Sequence, residues 1–162
     1  MPTINSGDFS ITNKTRMKIP VLPFLNLKND ILGAKYSISI AFVDEKTSHK
    51  INKEYRGKDR PTNVLSFPFS KTSGELILTP SLIKKESTNP EKNFGKNFEK
   101  LLFFLVIHGM LHLKGYEHSS TMSKRETFFC NKYDKKHFNR NRRGIKHDQS
   151  GSGRISKRRK KS

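Results

Sequence analysis

Leu101, Leu102, Phe103, Phe104, Leu105, Val106 and Ile107 follow one another without a polar residue, inside a segment that reads as a helix from Asn97 to Lys114. On a helix such a run leaves no solvent face, so the segment must be buried on nearly every side. It is also far short of the roughly 20 residues needed to cross a bilayer. Other elements must therefore wrap around this one central helix, and 162 residues suffice for one domain that does so.

The wrapping elements are read from shorter patterns. Tyr36 to Val43 alternates, with Ile38, Ile40 and Phe42 on one side, which is the period of a half-buried strand. Asp44 to Tyr55 fits a short surface helix capped by Asp44 and ended at Gly57. Two further strands are expected at Asn63 to Phe69, ending at Pro68, and at Glu75 to Leu78, stopped by Pro80. Leu82 to Ser87 reads as a helical turn or two, and Asn89, Pro90 and Glu91 resemble a helix start. A last helix is expected from Ser123, with Glu126 completing a capping box, to near Lys136. Pro20 and Pro23 interrupt any long helix near the N-terminus.

Only 32% of residues are apolar, so part of the chain is expected to lie outside the core. From His137 to Ser162 there are ten Lys/Arg and one acidic residue, Asp148, a net of +9. That composition reads as a disordered basic tail on a single domain of residues 1 to 136. The whole chain carries +19, from 33 Lys+Arg against 14 Asp+Glu, a field that attracts polyanions. Nucleic acid is the expected partner; the plain alternative is the lysine and asparagine bias of an AT-rich genome. Met1 to Pro20 has no apolar export core, and Cys130 is the only cysteine. A thiolate zinc finger and an intrachain disulfide are excluded, and a reducing cytoplasm with no membrane association is expected.

His108 and His112 stand four apart on the buried helix, so both imidazoles project from one face and can reach one ion. Gly115 lets the chain turn and bring His118 back. Three nitrogens would then hold a divalent metal and leave one tetrahedral position open, the arrangement of a catalytic zinc site; imidazole also suits nickel and copper. A lone histidine on an apolar helix is usually a hydrogen-bonded core residue, but half of the six histidines fall within these eleven positions. His49, His137 and His147 have no partner spacing and are expected at the surface. Gly109 occupies the place where zinc proteases of the H-E-x-x-H type carry glutamate, so peptide hydrolysis loses its expected base. Phosphodiester chemistry depends less on one.

The stretch HGMLHLKGYEH, His108 to His118, resembles the HGxLHLxGYDH pattern of the YbeY-type rRNA-maturation endoribonucleases. YRGKDRPTNVLSFPF, Tyr55 to Phe69, is similar to that family's YRxxDxPTDVLSFP, and Gly74 to Leu76 to its Gly-Asp-Ile. The matching region runs from about Ile38 to Glu126. The resemblance implies an α+β fold, a small mixed β-sheet packed around the central helix, and one Zn2+ per chain on His108, His112 and His118. It further implies a hydrolase that cuts single-stranded RNA in ribosomal RNA processing and ribosome quality control, with ribosomal RNA and the small subunit as partners and no DNA. Arg56 matches the family's functional arginine; a guanidinium there can hold a phosphate by a paired fork and stabilise developing charge. Without the resemblance it would read as a solvated surface arginine. Glu75, Glu117 and Asn63 depart from the pattern, and the two glutamates are possible partners for a ligand histidine. Ser66 is expected to sit on a core strand without chemistry. The competing function is a non-catalytic RNA-binding ribosome-assembly factor with a structural metal.

Overall fold

A computed structural model of the chain describes residues 3–91 and 97–134. Met1–Asn131 form one compact unit; of the second, Lys132–Ser162, only residues 132–134 are among those described. The boundary expected after residue 136 and the basic tail lie outside the described residues.

Among the described residues ten elements follow one another: β1 (Thr3–Ser6), β2 (Phe9–Asn13), α1 (Phe24–Ile31), β3 (Ser37–Phe42), α2 (Glu45–Arg56), β4 (Val64–Ser70), β5 (Ser73–Leu78), α3 (Pro80–Ser87), α4 (Phe98–Lys114) and α5 (Ser120–Tyr133). The strands form one sheet in the order β1-β2-β3-β5-β4. It is mixed: β2, β3 and β5 run parallel, and β1 and β4 close the two edges antiparallel. The expected α+β class, a small mixed sheet around a central helix, is the observed one.

The central helix is α4. Its buried positions include Leu101, Leu102, Phe103, Leu105, Val106 and Ile107, and it packs against α1, α3, β4 and β5. The Phe24 and Phe103 rings stack at 6.2 Å between α1 and α4. Each such side chain removed from water contributes roughly 1.5–3 kcal/mol, so this apolar run is the main reason the elements gather here. Against the sheet the helix comes very close: a Cβ on Gly109 would lie 2.7 Å from Leu76 Cδ2.

Several local boundaries differ from expectation. Pro68 does not end β4, which continues to Ser70; β4 is an edge strand, where a missing ladder donor costs nothing, and the register shifts just after it. Pro80 both stops β5 and opens α3 as its first residue. No helix starts at Asn89, whose side chain instead accepts from Glu91 N at 2.9 Å. The start of α5 is Ser120, not Ser123: Ser119 Oγ accepts from Met122 N at 3.2 Å and supplies the cap. The strands β1 and β2 and helix α1 were not foreseen; α1 begins directly after Pro23.

Candidate metal centre

The turn that ends α4 positions two of the three histidines' surroundings. Gly115 adopts φ 104°, which only glycine takes without strain, and its N–H donates to His112 O at 2.9 Å. Tyr116 N donates to Leu111 O at 3.0 Å, completing a Schellman-type close. The reversal sets the Tyr116 carbonyl over His112 and carries His118 back to the helix face.

His108, His112 and His118 each offer a ring nitrogen, and these three atoms lie within 4.8 Å of one another. His108 Nε2 and His112 Nε2 are 3.1 Å apart. Their other nitrogens point outward to fixed acceptors: His112 Nδ1 to Tyr116 O at 2.9 Å, and His108 Nδ1 to Glu126 Oε1 at 2.6 Å. A carbonyl only accepts, so His112 carries its proton on Nδ1 and leaves Nε2 with a lone pair. The Glu126 carboxylate asks the same of His108. Two lone pairs facing at 3.1 Å favour a cation between them, and nitrogens bound to one tetrahedral zinc stand about 3.3 Å apart. The donor set therefore fits a divalent metal. Burial and the neighbouring His108 hold the His112 pKa below the ordinary imidazole value, against the raising effect of Tyr116 O. The neutral ring that a ligand must be is thereby favoured.

Arg56, the last residue of α2, lines the same cleft as the three histidines, a cavity of about 350 Å³ shared with Thr62, Asn63 and Ser66. Two fully buried polar residues of α2 fix that wall. Ser48 Oγ donates to Thr62 O at 2.8 Å and accepts from Thr62 N at 3.0 Å, while Asn52 Nδ2 donates to Arg60 O at 2.7 Å. Ser66 Oγ donates to Gly109 O at 3.2 Å, tying β4 to α4, a packing role.

The carboxylate that meets one of the three histidines is Glu126, not Glu75 or Glu117. Glu75 lines a separate cavity with Tyr55, Phe67 and Phe69, and Glu117 is exposed without a histidine partner among the described residues. Glu126 was legible as the third residue after Ser123, but that spacing suggested a cap. Gly109 lies against the sheet, where a glutamate would have neither room nor access to the metal face. His49 is at the surface, paired with Asp59 at 2.7 Å; His137 and His147 lie outside the described residues.

Residues 6–139 match the family model of the endoribonuclease YbeY. The chain belongs to this family. The match begins well before Ile38, so the YbeY pattern includes β2 and α1, which short motifs did not reveal. Proteins called endoribonuclease YbeY from Lactobacillus helveticus (strain DPC 4571) and Lactobacillus acidophilus (strain ATCC 700396 / NCK56 / N2 / NCFM) are 38% and 36% identical over 109 residues. Each alignment covers 56% of this chain, which spans about 60% of the length of these curated relatives. The solution structure of a Thermotoga maritima protein superposes with a TM-score of 0.52 at 26% identity, covering 79% of this chain and 89% of that one.

Proposed function

We propose that this YbeY-family chain is a zinc-dependent endoribonuclease that hydrolyses single-stranded RNA during ribosomal RNA maturation and ribosome quality control in the cytoplasm. The observation that carries the reading is the meeting, in one open cleft, of three histidine nitrogens with Arg56. Among the described residues no helix is long and apolar enough to cross a membrane.

His108, His112 and His118 would hold the ion, with Glu126 and Tyr116 O keeping the first two rings in the required tautomer. Zinc, when bound, supplies Lewis acidity toward a phosphoryl oxygen and lowers the pKa of water. Arg56 binds a non-bridging phosphate oxygen and stabilises the charge that grows there as the phosphorus is attacked. Thr62 and Asn63, on a wall tied to Ser48, Asn52 and Thr79, keep that surface from shifting. A structural metal would be closed off, whereas His118 is exposed and the cleft is open, which disfavours a purely non-catalytic assembly factor. The basic residues from His137 onward serve as a tether for RNA or the small ribosomal subunit, outside a domain of residues 1 to 136.

The test is cleavage of a single-stranded ribosomal RNA fragment by the full chain, with and without chelator. Cleavage that stops with chelator and returns with added zinc supports the reading. Cleavage indifferent to chelator refutes metal dependence, and no cleavage under either condition leaves the assembly factor in its place.

A further inference from the structure

The cleft does not stop at the histidines. A second cavity, of about 430 Å³, shares Asn63, Val64, His108 and His118 with the one that Arg56 lines. The histidines thus stand where two arms join, and the second arm has different walls. Phe104, Leu105, Val64 and Met122 provide apolar surface, while Asn63, Ser119, Ser123 and the Glu126 carboxylate already held by His108 bring polar groups to it. Leu105 and Met122 are 7% and 1% exposed and belong to the packed core, so these walls are preformed. The Phe104 ring is partly exposed, with its centroid 6.2 Å from that of His108.

Asn63 is oriented. Its Nδ2 donates to Glu86 Oε2 at 3.0 Å, and among the described residues its Oδ1 has no hydrogen-bond partner. The amide therefore presents a fixed carbonyl acceptor at the junction of the arms. An aspartate here would set a second carboxylate against Glu86, so the amide at position 63 and the acid at position 86 belong together.

The geometry points to the second arm as the seat of one nucleobase, that of the nucleotide next to the phosphate held at Arg56 and the histidines. This assignment rests on the RNA reading above. The chemistry is that of a base site: an aromatic ring for stacking, apolar walls for the remaining ring surface, and an oriented acceptor for a base N–H. A cavity of this volume lies in the range of small-ligand sites. A base can reach it only by leaving its stack, which is easy in a single strand and costly in a duplex. Preference for single-stranded RNA then follows from the shape of the cleft. Stacking is tolerant of base identity, so Asn63 confers a modest preference only.

The sequence holds no tryptophan, so Phe104→Trp in the full chain places a single indole in the arm. A single-stranded RNA pentamer, mixed in a stopped-flow instrument, should quench that indole saturably. A pentamer of the same sugar-phosphate chain without bases should not. Phe104→Leu, which keeps an apolar side chain but removes the ring, should weaken pentamer binding about fivefold or more and leave the abasic chain unaffected. Pentamer retained on a filter by the variant without any change in emission would overturn the base site. So would equal quenching by the abasic chain, or undiminished binding by Phe104→Leu. Failure of the unaltered protein to retain the pentamer would overturn the RNA reading itself, and with it the occupant of this arm.

Discussion

His108 Nδ1 and Glu126 Oε1 lie 2.6 Å apart and join the central helix to α5 beside the three-histidine cluster. The bond fixes the orientation of the ring, and with a metal on the opposite nitrogen it would support the ligand as well as the fold. Glu126→Ala should lower zinc affinity about 10- to 100-fold, measured by competition with a chromophoric chelator. Glu126→Gln, which retains an acceptor without the charge, should lose less. Zinc affinity unchanged in Glu126→Ala would mean that His108 is oriented by its packing alone.

Arg56 shares the cleft with the histidines but is not a metal ligand. Arg56→Ala should keep the metal and the fold while cleavage falls about 100- to 1,000-fold, the range for removing one stabilising donor. Arg56→Lys should rescue poorly, because an ammonium cannot make the paired fork. Single-turnover cleavage at saturating RNA, with zinc content measured on the same samples, separates the two effects.

Gly109 allows α4 to settle on β5. Filling a packed core costs about 1–3 kcal/mol, and alanine in a helix returns about 1 kcal/mol over glycine. With Leu76 fully buried and 2.7 Å from the added carbon, the steric cost should win. Gly109→Ala should lower Tm by a few degrees without loss of zinc; a Tm equal to or above that of the unaltered protein would show that Leu76 yields freely.

The pH dependence of the metal-free protein follows from His112, whose pKa burial and His108 depress. In the unfolded chain the imidazole takes a proton near pH 6.5. In the folded chain it does so only at lower pH, so between the two values the unfolded state binds more protons and stability rises with pH. The contribution is fully present above about pH 6.5 and is lost as the pH falls through the folded value. Tm should therefore decline on acidification, and decline less steeply in His112→Gln, which takes up no proton. Equal slopes would place the acid sensitivity elsewhere.

The parts of this architecture that follow from local chemistry were open to reading. The run Leu101 to Ile107 demanded a central helix, Asp44 and Gly57 marked both ends of α2, and the four-residue spacing of His108 and His112 placed two donors on one face. What stayed hidden depends on distant partners. Glu126 looks the same in sequence whether it caps its own helix or meets a histidine eighteen residues away, and only the angle between α4 and α5 decides. Ser48 and Asn52 appear as surface polar residues until the loop through Thr62 folds over them. The extension of β4 past Pro68 required knowing that β4 is an edge strand. Phe104 reads as core from the run around it, yet its ring is partly exposed and lines the cleft.

His108, His112 and His118 are proposed to hold one catalytic metal. This is tested most directly by elemental analysis of the purified protein beside His112→Ala, with RNA cleavage measured on both. About one zinc per chain and active protein are expected in the first case, and loss of metal and cleavage together in the second. A full equivalent of zinc retained by His112→Ala, or undiminished cleavage without it, would contradict the three-histidine site.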